Sequence, residues 1–166
     1  MQILNCTASF TRPADTTAYT SGDLVANSVT NTSVVPMTFQ VFGAAGVKVW
    51  RVNLLNNNAT PTNGKFRLHL YGALPTGIAN GDNGAWSTNN NAYIDSIDID
   101  ASAKTFVDKS SGSGVYINTA LVAQPLFFTL DRSLGAFYGL LAVTAAYTPA
   151  SAEVFTVNVQ GEGYAS

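Results

Sequence analysis

Lys65-Phe66-Arg67-Leu68-His69-Leu70-Tyr71 is the stretch on which the fold turns. Phe66, Leu68 and Leu70 alternate with Lys65, Arg67, His69 and Tyr71. Successive side chains of an extended chain point to opposite faces, so this alternation predicts a half-buried strand. Phe66, Leu68 and Leu70 are expected inside, with His69 outside between Arg67 and Tyr71. The rhythm returns in Val154-Phe155-Thr156-Val157-Asn158-Val159-Gln160, with Phe155, Val157 and Val159 inward. It returns again in Tyr93–Asp100, where Ile97 and Ile99 alternate with Asp98 and Asp100.

Working outward, further strands are expected at Ile3–Phe10, Thr38–Phe42, Val47–Leu55, Val115–Ile117 and Leu126–Leu130. Phe137–Tyr147 is apolar on both faces. Its aromatics, its β-branched residues and the following Pro149 favour a strand over a helix. Such a strand is either central and covered on both sides, or turned outward to a partner. Turn-rich segments separate these runs: Asn56–Gly64, Pro75–Asn91 with its Asn80-Gly81 and Asn83-Gly84 pairs, and the Ser/Gly loop Lys109–Gly114. No capped stretch of 3.6-residue periodicity is present, which argues against long helices. Many short strands between turns predict an all-β antiparallel β-sandwich, jelly-roll-like, as a single domain over residues 1–166. Thr11–Pro36, rich in Thr, Ser, Asn and Asp, is either a long surface loop or an extended arm lying on a neighbour.

Composition narrows the function. Charged residues are 11% of the chain, against about 25% in typical domains, and the formal net charge is −2. Lys48 lies near Arg51, and Lys65 near Arg67, but no basic run exists to attract nucleic acid. The single cysteine, Cys6, excludes an internal disulfide and fits a reducing compartment. Met1–Cys6 lacks the basic and apolar regions of a signal peptide. No apolar run approaches the ~18 residues of a membrane span.

Chemistry is sparse. A nucleophile–base pair would have to use Cys6 and His69, which sit in separate expected strands with no Gly-rich elbow nearby. Cys6 is expected as a small buried residue. One His and one Cys do not make a zinc site. Asp95, Asp98 and Asp100, together with the oxygen-rich Asn80-Gly81-Asp82-Asn83-Gly84 loop, raise the question of calcium or of paired carboxylates. Their spacing fits a solvated strand face and a turn instead. Trp86 and Asn89-Asn90-Asn91 could present a sugar platform, or Trp86 could plug its loop. No catalytic, cofactor-binding or metal-binding residue is assigned, and the chain is not expected to be an enzyme.

Two stretches and a tail carry a resemblance. The first is Phe10-Thr11-Arg12-Pro13-Ala14-Asp15-Thr16-Thr17-Ala18-Tyr19 with Gly22-Asp23-Leu24-Val25-Ala26. The second is Phe66–Tyr71 with Asn80-Gly81-Asp82-Asn83-Gly84-Ala85-Trp86-Ser87. The tail is Ala146-Tyr147-Thr148-Pro149-Ala150-Ser151-Ala152-Glu153 ahead of the last strand. Together these resemble a family of small virion structural proteins of tailed bacteriophages. The resemblance implies a capsid decoration, or cement, protein that binds the major capsid protein on the outer shell. It implies a homo-oligomer, with a trimer favoured, assembled in the host cytoplasm and located in the virion. No catalytic residues come with the resemblance, and from the residues themselves no cofactor, nucleic-acid partner or membrane partner is expected. The alternative is a carbohydrate- or receptor-binding module of a fibre or tail-associated protein.

Overall fold

The period-two segments become antiparallel strands in the computed structural model, which describes residues 2–58, 64–100, 106–108, 115–130 and 135–165. In chain order these are β1 (Gln2–Thr11), β2 (Leu24–Val25), β3 (Met37–Gln40), β4 (Gly46–Asn56), β5 (Lys65–Tyr71), β6 (Tyr93–Asp100), β7 (Phe106–Asp108), β8 (Val115–Thr129), β9 (Ala136–Val143) and β10 (Val154–Tyr164). One sheet runs β1-β10-β4-β8-β7. The other runs β2-β9-β5-β6, with β3 beside β2 on the same edge of β9.

The pairing is nested. β1 pairs with β10, β3 with β9, β4 with β8 and β5 with β6, each pair enclosed by the one before it along the chain. One long hairpin rolled into two facing sheets has this connectivity, which is that of a jelly roll. The fold is an all-β antiparallel sandwich.

The alternation places the core between the sheets. Phe66, Leu68, Leu70, Phe155, Val157 and Val159 are fully buried, as expected from the sequence, and Ile97 and Ile99 join them. Phe66 meets Phe155 edge-on at 5.5 Å, and Phe39 stacks on Phe137 at 4.9 Å. Aromatic pairs at these separations add to the stabilisation that burial alone gives.

Three expectations need correction or refinement. Val115–Ile117 and Leu126–Leu130 are not two strands but parts of β8; the register against β4 jumps from Leu121 to Leu126, with Pro125 inside the jump. Proline lacks an amide hydrogen and is accommodated in a strand at such an irregularity. Second, Tyr71 and His69 point outward from β5 yet are buried. Third, Phe137–Tyr147 supplies a central strand covered on both faces, not one turned to a partner. Its inner Phe137, Leu141 and Val143 enter the core, while Leu140 joins a second apolar cluster with Leu24, Ala26, Val34 and Tyr71.

That second cluster lies outside the β9–β5–β6 sheet and comes from the two polar-looking segments. Thr11–Pro36 packs on its own chain through buried Arg12, Tyr19, Leu24, Val25 and Ala26. Residues 72–92, between β5 and β6, bring Ile78 and Trp86 against the same face. The Lys109–Gly114 loop lies outside the described residues.

Candidate functional site

The covered outer face of β5 holds the densest collection of chemistry-bearing side chains. The Asn80–Gly84 turn, with Asn83 at φ 59°, reverses the chain, and the Trp86 amide then donates to the Gly22 carbonyl at 2.8 Å. This lays the indole flat on His69, with ring centroids 3.9 Å apart and planes 10° from parallel. Burial, helped by the nearby Arg67 charge, lowers the His69 pKa to about 4. The imidazole is therefore neutral at neutral pH, and its buried Nδ1 has no hydrogen-bond partner. Burial raises the Tyr71 phenol, whose oxygen lies 2.9 Å from Thr88 Oγ1.

Arg67 closes this ridge at the solvent side. Its Nε donates to Asp98 Oδ1 at 2.6 Å and its Nη2 to Oδ2 at 2.9 Å. The hydrogen bond from Arg67 holds the Asp98 carboxyl below its ordinary range. A hollow of about 350 Å³ opens on the β9 side of the His69–Trp86 stack, bordered by Ser21, Arg67 and Thr144. Another of about 430 Å³ opens on the β6 side, bordered by Arg67, Tyr93 and Ser96. These hollows offer hydroxyls, an ion pair and the rim of an indole. They can hold a polar ligand by hydrogen bonds and stacking. Proton transfer through His69 is disfavoured, because its ring is covered and titrates far below neutral pH.

The other residues weighed from the sequence are dispersed. Cys6 points into the core from β1 and donates to the Gln40 carbonyl at 2.8 Å, whereas His69 lies on the outer face of the opposite sheet. They form no nucleophile–base pair. Asp100 faces Lys65 at 3.6 Å, and Asp95 accepts from the Ser96 amide. No cluster of three His, Cys, Asp or Glu side chains suited to a metal occurs among the described residues. Asn89 reaches Thr76 at the loop surface, and the Asn90 side chain lies outside those described. Trp86 has one face committed to His69, which makes it a loop plug with an exposed rim.

Asp82 belongs to a different arrangement. The loop that looked oxygen-rich and free sends this carboxylate inward to Arg12, at 3.0 Å, with both side chains fully buried. Tyr19 donates its hydroxyl to Asp82 at 2.7 Å, Arg12 Nε donates to Tyr19 at 2.8 Å, and the Ala26 amide donates to Asp82 at 2.8 Å. Burial opposes the Arg12 charge, but its contacts with Tyr19, Asp15 and Asp82 outweigh that and raise its pKa. Nearby, Tyr147 donates to buried Glu153 at 2.5 Å, Asn56 donates to the same oxygen, and the Ala150 amide donates to the other at 2.9 Å. Burial raises the Glu153 pKa. Arg12 Nη1 donates to the Ala150 carbonyl at 3.3 Å and joins the two groups into one polar network that ties residues 12–26, Asp82 and residues 147–153 together. Their partners are satisfied within the chain, so the network positions loops and presents no reactive group.

The sheet of β1 and β10 has a contrasting outer face. Thr7 and Ser9 are exposed there, and Asn53, Asn158 and Asn5 form a cross-strand amide ladder. One row of this face, set by the register, runs Ile3, Glu162, Lys48, Phe127. Ile3 is 81% exposed and Phe127 62%. Phe42, in the turn after β3, is 75% exposed. No helix among the described residues is long and apolar enough to cross a membrane.

No protein-family model matches the chain. A comparison with curated proteins gives no significant match.

Proposed function

We propose that the protein is a structural component of a tailed-phage particle, a capsid decoration protein that binds the major capsid protein on the head shell. The nested pairing of β1 with β10, β3 with β9, β4 with β8 and β5 with β6 carries this reading. It is the connectivity of the jelly roll, an architecture used by viral capsid domains. The resemblance in Phe10–Tyr19 with Gly22–Ala26, in Phe66–Tyr71 with Asn80–Ser87 and in Ala146–Glu153 points the same way. The β1–β10–β4 face is amide-rich, with Lys48, Arg51 and Glu162 as its charged members, and its uncharged polar groups are cheaper to desolvate than charges. Isolated Ile3, Phe42 and Phe127 supply apolar anchors of the kind found at the centres of protein interfaces. The test is co-sedimentation with purified expanded heads: the protein pellets with heads in a saturable manner and remains in the supernatant without them. Failure to pellet at any head concentration contradicts the proposal.

The hollows beside Trp86 favour a second reading, a carbohydrate-binding module, since jelly rolls also serve as lectin domains. It predicts quenching or a shift of tryptophan fluorescence on glycan addition, lost in Trp86→Ala.

A further inference from the structure

One exposed hydrogen-bonding surface of the molecule is the free edge of β1. Among the described residues β1 ends its sheet, with β10 on one side and no paired strand on the other; β3 of the facing sheet lies against its core face, where Cys6 meets the Gln40 carbonyl. The direction of its free groups follows from the ladder. The Val154 and Tyr164 carbonyls accept from Asn57 and Ala45 on the β4 side. Even-numbered residues of β10 therefore bond towards β4 and odd-numbered ones towards β1. In the observed register, odd residues of β10 oppose even residues of β1, and the Arg12 amide duly donates to the Glu153 carbonyl. The N–H and C=O groups of Ile3, Asn5, Thr7, Ser9 and Thr11 consequently face outward, and all five residues are exposed.

An exposed strand edge invites pairing, and proteins commonly blunt one with charge, proline, a bulge or brevity. β1 has none of these: its ten residues include no charged residue, no proline and no glycine, and its register with β10 is unbroken. We propose that this edge pairs with the same edge of a second copy, antiparallel about a two-fold axis, joining the two sheets into one continuous sheet. The pleat restricts the register, because core-facing residues must oppose core-facing residues. Centring the axis on Thr7 sets Leu4 against the partner's Phe10 and Cys6 against the partner's Ala8. On the outer face it sets Asn5 against the partner's Ser9. Ala8 and Phe10 are the half-buried members of the core on this strand, and the partner's Cys6 and Leu4 would complete their cover. Centring on Cys6 instead sets Gln2 against the partner's Phe10 and leaves that ring without an apolar neighbour. The proposed two-fold pairing makes a dimer where the resemblance favours a trimer, and it is independent of shell binding.

The register gives a charge-swap test. Sedimentation equilibrium of the full chain should show a dimer. Asn5→Lys with Ser9→Lys places two like-charged pairs across the axis and should raise the dimer dissociation constant at least tenfold while the far-UV circular dichroism spectrum of the folded sandwich is unchanged. Asn5→Lys with Ser9→Glu places two opposite pairs there and should restore the dimer. In a Cys6→Ala background, Thr7→Cys should form an intermolecular disulfide on mild oxidation, since directly opposed hydrogen-bonded residues lie about 5.5 Å apart, within disulfide reach. A monomeric or trimeric wild type, a dimer indifferent to both charge variants, or no cross-link through position 7 overturns the proposal. Head co-sedimentation, measured separately, reports on the shell proposal alone.

Discussion

Single residues in this protein owe their properties to what covers them. His69 is held neutral by burial, its pKa lowered from an ordinary 6.5 to about 4. A base depressed in the folded state stabilises the fold above its unfolded pKa and loses that contribution as pH falls through the folded value. Acidification from pH 6.5 towards pH 4 should therefore cost about 3 kcal/mol through this group. Chemical denaturation at a series of pH values should show the loss in the wild type, and its reduction in His69→Phe, which keeps an aromatic partner for Trp86. Arg12 makes the complementary case. Arg12→Met leaves Asp82 buried without its cation, and breaking a buried pair in this way costs about 3–5 kcal/mol. Urea midpoints measure it, and a change below about 1 kcal/mol would mean that Asp82 escapes to solvent. Leu68→Ala, in the middle of the core, should cost about 2–5 kcal/mol. The Leu68 environment was legible from alternation alone. The Arg12–Asp82 contact was not, because it joins residues seventy positions apart in two segments whose composition looks solvated. One signal was available: in a chain with eight Lys and Arg, an Arg among loop residues needs an explanation.

Strands and loops show why local pattern sufficed for one and failed for the other. A strand with one buried face announces itself by alternation, as β5, β6 and β10 do. A strand buried on both faces does not, and β9 required the 24–34 and 72–92 segments before its outer cover could be identified. β8 concealed itself differently: Pro125 and the register jump split its pattern into two apparent strands. The bulge at Trp50 of β4, opposite Gln160 and Gly161 of β10, yields a sharper prediction. A Cβ at position 161 would lie 2.1 Å from the Lys48 carbonyl oxygen, a backbone atom that cannot swing aside. Gly161→Ala should therefore lower the melting temperature and weaken amide-exchange protection in β4 and β10, whereas Gly135→Ala, with open space around its Cβ, strains only its own positive φ.

At the scale of the whole molecule, a rolled hairpin of strands is closed at one end by a buried polar network and covered on one sheet by its own loops. The opposite sheet is left open and amide-rich, with Ile3 and Phe127 at the ends of one row whose middle members are Glu162 and Lys48. Under the proposed function, that asymmetry makes the outer face of the open sheet the surface that meets the shell, while the β1 edge meets a second copy and the His69–Trp86 side is left to the glycan reading. The most direct measurement is a difference map from electron cryomicroscopy of expanded phage heads with and without the added protein. The account predicts extra density of sandwich size at symmetry-related positions on the outer shell, with the β1–β10–β4–β8 sheet towards the contact. Saturating protein with no added density on the shell would contradict it.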